Sequence, residues 1–153
     1  MPTLANTRFG AIEFIEEDVI TFCEGLIGFP NCTRFVFVTQ KPESPFRWLQ
    51  SLDLPEFAFL VADPCEYVEN YSPVLGDEIA AAMEIDDETP TFLFTTVSIP
   101  RGKPREMTLN LAGPIVINAA TRIGRQFVVD NEAYTIKHRV FPDGEPEGQR
   151  AAA

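Results

Sequence analysis

A chain of 153 residues, 45% of them hydrophobic, is expected to fold as one domain that buries roughly two thirds of the surface its unfolded form exposes. Its 12 Lys and Arg stand against 23 Asp and Glu, for a net charge of −11. That balance disfavours direct nucleic-acid binding, which is driven by cations releasing counterions from the phosphate backbone.

The acidity is uneven: residues 1 to 100 hold 4 basic and 17 acidic side chains (−13), and residues 101 to 153 hold 8 and 6 (+2). It fits solubility, attraction to a basic partner, or repulsion of nucleic acid from a partner that the acidic face sits beside. No segment reaches the roughly 18 consecutive apolar residues of a membrane span. Met1 to Gly10 lacks a charged stretch followed by an apolar run, so a cytoplasmic protein with no membrane association is expected. Cys23, Cys32 and Cys65 are odd in number, lack CxxC spacing and have only His138 as a nitrogen partner, so they read as core or loop residues without a metal.

Short β-type runs follow one another along the chain. They are Ala11 to Ile15, Arg34 to Thr39, Phe46 to Ser51, Ala58 to Ala62, Thr91 to Ile99, Met107 to Leu111, Ile115 to Asn118 and Arg125 to Val129. Prolines such as Pro55, Pro64, Pro90 and Pro114 fall between the runs, where they cost no ladder hydrogen bond. Gly25-Leu26-Ile27-Gly28 reads as a turn before Phe29-Pro30, and Arg101-Gly102 and Ile123-Gly124 read as exposed hairpin tips. One helix is expected over Asp77 to Glu84, with Gly76 at its N-cap and Ile79 and Met83 facing inward. Several runs are apolar on both alternating sets, as in Phe35 and Phe37 against Val36 and Val38, which implies strands covered on both faces. The expected fold is all-β with a minor helix, a small antiparallel β-barrel over residues 1 to 141. Pro142 to Ala153 is expected to be a disordered tail.

The chain lacks GxSxG, GxxxxGK[ST], HExxH and GxGxxG, and it has a single His. This argues against an enzyme and against a cofactor. The clusters Glu16-Glu17-Asp18 and Asp86-Asp87-Glu88 place neighbouring carboxylates on different sides of the backbone, as solvated surfaces do. Arg101, Lys103 and Arg105, with Lys137, His138 and Arg139, are the counterweight to the acidity and read as loop charge.

Three segments together are more specific than any of these signs. Gly25 to Pro30 (GLIGFP), Trp48 to Pro64 (WLQSLDLPEFAFLVADP) and Thr108 to Val129 (TLNLAGPIVINAATRIGRQFVV), followed by Tyr134, resemble the FliW family of flagellar assembly factors in order and spacing over about residues 7 to 141. The matching positions include Gly25, Gly28, Phe29, Pro64, Asn110, Pro114, Asn118 and Gly124. Ile27 stands where the family usually has proline, and Gly113 where it often has alanine. The resemblance implies a β-barrel that binds flagellin in the cytoplasm and antagonises the RNA-binding regulator CsrA by partner exchange. It implies no catalytic residue. Asp63, Glu66, Glu69, Asp77 and Glu78 form the densest acidic stretch beside a matching segment and are the candidate partner-binding residues. Competing readings are an acidic adaptor or nucleic-acid mimic without a flagellar role, and a small carboxylate enzyme.

Overall fold

The computed structural model describes residues 2–39, 41 and 43–141; the expected tail at 142–153 lies outside the described residues. A hairpin of β1 (Thr3–Thr7) and β2 (Gly10–Glu13) stands apart from the main sheet. The main sheet begins with β3 (Ile20–Thr21), which pairs with β4 (Arg34–Val38). β4 continues through β5 (Phe46–Ser51) to β6 (Ala58–Ala62) as an antiparallel meander. After a helix, α1 (Asp77–Ala82), comes β7 (Thr91–Ser98), joined to β6 only through Val61↔Thr96 and Ala62↔Thr95. The last half of β7 turns to β8 (Thr108–Leu109), and its first half pairs with β9 (Ile115–Asn118). β9 pairs with β10 (Ile123–Gln126), and β10 meets β3, so the ladder returns on itself as a ring. β11 (His138–Arg139) lies outside the ring against β8.

The molecule is mostly β with one short helix, as expected, and the ring is antiparallel except at its closing junction. There Ile123 pairs in parallel with Thr21, and Thr21 N donates to Arg122 O at 3.0 Å. Two exposed ion pairs span the same junction, Arg122–Asp18 at 3.7 Å and Arg125–Glu24 at 3.2 Å.

Three local expectations are corrected. Ile123-Gly124 is not a hairpin tip: Gly124 is buried within β10, and its backbone is not in the left-handed region. What it supplies is space, because a Cβ there would lie 2.6 Å from Cζ of Phe22. The reversal is made just before it, where Arg122 takes φ 62° and Asn118 Oδ1 accepts from Ala120 N at 2.9 Å. The strand expected at Arg125 to Val129 therefore begins two residues earlier. Strands β1, β3 and β11 escaped the sequence reading, since two-residue strands carry no periodicity and β1 is broken by Asn6 at φ 68°. Arg101-Gly102 is an exposed turn as expected, with Gly102 at φ 73°.

Inside the ring sit Ile20, Phe22, Leu26, Cys32, Phe35, Leu49, Val61, Phe94, Ile115 and Ile117. Phe22 packs edge-to-face on Phe35 at 5.3 Å between centroids, the arrangement that ring quadrupoles favour. Strand β9 shows why both alternating sets are apolar. Ile115 and Ile117 point into the ring, while Val116 points outward under Met83, Phe127 and the α1 residue Ile79. A further cluster of Tyr71, Val97, Met107, Leu109 and Leu111 lies beneath the β7–β8 ribbon.

Replacing Gly124 by alanine forces the Phe22 ring out of its site and should cost about 1–3 kcal/mol, as core overpacking does. Urea denaturation checks this. The double substitution Gly124→Ala with Phe22→Leu should cost less than the two single costs added, and strict additivity would show that the two positions do not share space.

Candidate functional site

The segment Gly25 to Pro30 forms a tight loop because two of its residues accept left-handed backbone, Gly25 at φ 70° and Gly28 at φ 89°. Leu26 and Phe29 exchange backbone hydrogen bonds of 3.3 and 2.7 Å across it. Any Cβ at Gly25 would meet Phe29 O, so this glycine is required on two counts. The loop turns Leu26 into the ring and packs Phe29 edge-to-face on Phe57 and Phe59. It leaves Ile27 at the tip, 56% exposed.

A chain of amide hydrogen bonds fixes that tip to the rest of the molecule. Ile27 N donates to Gln126 Oε1 at 2.9 Å, and Gln126 Nε2 donates to Gly113 O at 2.8 Å. Gly113 N donates to Asn110 Oδ1 at 2.9 Å, and Asn110 N donates to Thr96 O at 3.1 Å. Ile27 and Gly113 are both members of this chain. A proline at 27 would have no N–H for Gln126, and an alanine at 113 would bring a Cβ to 3.1 Å from Asn110 Nδ2 and 3.2 Å from Gln126 Nε2.

Beside this chain the wall of the ring opens. Beyond Val61↔Thr96 the strands β6 and β7 part, because β7 turns away to pair with β8. Ala58 to Leu60 and Val97 to Ile99 become the banks of a groove of about 590 Å³. Trp48, Phe29, Ile27 and Ile99 line it, with Asn110 and Gln126 among its polar groups. Arg8, from the β1–β2 turn, is the one charged residue among those lining it, and its guanidinium lies 4.2 Å from the Trp48 ring centroid. A smaller pocket of about 290 Å³ on the other side of Ile27 runs past Cys23 and Arg125 to Met83. The cleft is mixed in character, with aromatic and aliphatic walls interrupted by Arg8, Thr96, Ser98, Asn110 and Gln126.

The family-matching positions divide between this groove and the frame that supports it. Gly25, Gly28, Phe29 and Asn110 shape the groove, whereas Gly124 serves the ring. Pro114 accepts a hydrogen bond from Phe127 N at 3.1 Å. Asn118 is buried and donates to Met83 O at 2.8 Å, anchoring the end of α1 to β9. In the LQS stretch, Gln50 Nε2 donates to the carbonyls of Ser51, Pro55 and Phe57, which fixes the β5–β6 turn. Sequence reading did not single out Arg8, Trp48 or Gln126, and it noted Ile27 only for standing where the family usually has proline. Ile27, Trp48 and Gln126 lie within the matching segments, and Arg8 belongs to a hairpin that periodicity did not reveal.

The five acidic candidates do not line the groove. Asp63 caps a single 3-10 turn at Pro64–Glu66, accepting from Cys65 N at 2.9 Å. Burial, then the Asp63 carboxylate, pushes the Cys65 thiol above its usual range. Glu66 and Glu69 are exposed on the segment that follows, and Asp77 and Glu78 are exposed in the first turn of α1. The segment between them is pinned where the Tyr71 hydroxyl donates to Leu111 O at 2.6 Å and Ser72 N donates to the Tyr134 hydroxyl at 3.0 Å. Burial holds the Tyr71 phenol well above its ordinary range, so it remains a donor. None of the five carboxylates forms an ion pair with a described residue. Among the described residues no group of three or more His, Cys, Asp or Glu is arranged to hold a metal ion, and no helix is long and apolar enough to cross a membrane.

Comparisons with known proteins agree with the family resemblance. The FliW protein family model matches residues 3–140. A flagellar assembly factor FliW from Desulfitobacterium hafniense is 37% identical over 145 residues, covering 95% of each chain. Another from Caldanaerobacter subterraneus subsp. tengcongensis is 40% identical over 140 residues, covering 90% of this chain and 93% of its own. A crystal structure of the flagellar assembly factor FliW superposes with a TM-score of 0.84 at 32% identity, covering 93% of this chain and 99% of the other. Matched by the family model over residues 3–140 and by relatives and a solved structure over most of its length, this chain belongs to the FliW family of flagellar assembly factors.

Proposed function

We propose that this chain works by partner exchange in the cytoplasm, holding flagellin in its groove and, when flagellin is withdrawn, engaging CsrA and antagonising its binding to RNA. The observation that carries this reading is the convergence of the family-matching segments on one groove beside Ile27 and Trp48. Such a groove accepts the apolar face of an amphipathic helix, with Ile27 and Trp48 as anchors. Flagellin supplies amphipathic helices at its termini, so its C-terminal region is the occupant. The antagonism of CsrA belongs to the acidic side chains outside the groove. Exposed charges are screened beyond roughly 8 Å at physiological salt, so these carboxylates act only if they lie close to the RNA path.

Calorimetric titration with monomeric flagellin should give heat and a stable complex on gel filtration. Ile27→Asp and Trp48→Ala should each weaken binding about tenfold or more, as loss of a central anchor does. Absence of heat and of complex, with both proteins folded, rejects flagellin as the partner.

The acidic part has a separate test. Asp63→Asn, Glu66→Gln, Glu69→Gln, Asp77→Asn and Glu78→Gln together should leave flagellin binding nearly unchanged, and each surface change should shift stability within about 0.5 kcal/mol. The Asn at 63 keeps the oxygen that caps Cys65 N. The RNA affinity of CsrA, measured with saturating wild-type or neutralised protein at two salt concentrations, should recover with the neutralised protein. Equal antagonism by both proteins at low salt would assign the effect to steric exclusion.

A further inference from the structure

The two basic stretches that are distant in sequence become one surface through β8. Strand β8 pairs with β7 on one side, Ser98↔Thr108, and with β11 on the other, Arg139↔Thr108. Val140 N then donates to Met107 O at 3.4 Å, carrying the ribbon to the turn that holds Arg101, Lys103 and Arg105. Because residues directly opposite share a face, Ser98, Thr108 and Arg139 form one row across the ribbon, and the exposed Lys137 lies in the turn that leads into β11. The opposite face is the one that Val97 and Leu109 bury.

The cations of this ribbon differ from three arginines elsewhere on the chain. Arg34, Arg122 and Arg125 are tied to Glu16, Asp18 and Glu24. Arg101, Lys103, Lys137 and Arg139 form no ion pair with a described residue, and the first three are exposed. Exposed apolar side chains lie beside them in sequence, Ile136 at 65% and Phe141 at 37%. Positive charge interleaved with aliphatic surface, on a chain of −11, is a local feature that solubility does not call for.

We infer that the outer face of the β7–β8–β11 ribbon is a second docking surface, for an acidic protein segment that also carries apolar side chains. Carboxylates would meet Arg101, Lys103, Lys137 and Arg139, and an apolar group would cover Ile136. RNA fits less well, because aliphatic side chains offer bases no stacking plane and the Phe141 ring already lies 5.5 Å from the Arg105 guanidinium. This inference does not depend on what fills the groove.

Fluorescence anisotropy with the full chain and its R101Q/K103Q/K137Q variant tests it. The labelled probes are a Glu- and Leu-rich helical peptide, a Glu- and Ser-rich peptide of equal charge, and a uridine-rich RNA oligonucleotide. The Glu/Leu peptide should bind most tightly, and the variant should weaken it about fivefold or more and flatten its salt dependence. An unchanged melting temperature would show that the variant is folded, and a second variant, Ile136→Ser, should weaken the Glu/Leu peptide but not the Glu/Ser one. No binding of the Glu/Leu peptide, equal binding by wild type and variant, or RNA binding that exceeds both peptides and is lost in the variant would each overturn the inference.

Discussion

The ring closes because Phe22 occupies the volume where residue 124 would otherwise carry a side chain. Strand β10 can then lie close enough to β3 for the Ile123↔Thr21 pairing, and Phe22 can remain fully buried against Phe35. Everything downstream depends on that approach. Gln126, two residues further along β10, reaches Ile27 only because β10 has been brought to this position, and the groove is shaped by where Ile27 is held. A contact inside the core thus sets the geometry of a surface groove.

The long strands were legible because both their alternating sets are apolar, and the helix was legible from Ala80 to Ala82 and the Ile79–Met83 spacing. Gly124 was misread for a physical reason. A glycine signals either a backbone conformation or a missing side chain, and only the position of Phe22 distinguishes the two. The groove was less legible still. It arises where β6 and β7 separate, and that separation is a property of pairing partners far apart in the chain, to which no local pattern responds. Gln126 and Asn110 lie in recognisable segments, but their joint role as an amide chain exists only after folding. The acidic candidates rest on density in sequence, and folding distributes them between a capped turn and a helix start.

Charge divides the surface into regions with different chemistry. The groove is aromatic and aliphatic in part, with Arg8 leaning over its tryptophan, the segment from Asp63 to Glu78 is acidic and forms no ion pair with a described residue, and the outer ribbon is basic. A small domain can then present different chemistry to different partners without a second domain. The net charge of −11 conceals this division, since it sums regions that a partner meets one at a time.

The closing junction has a mechanical consequence. A closed ring resists opening as strongly as its weakest junction, and here that junction is one parallel residue pair buttressed by two exposed ion pairs that salt screens. The ring therefore behaves as a split washer whose gap lies next to Ile27. Opening at the gap would move Gln126 relative to the loop and loosen the groove. By reciprocity, anything that bound only the closed groove would disfavour opening by the same free energy by which a tighter gap would favour its binding.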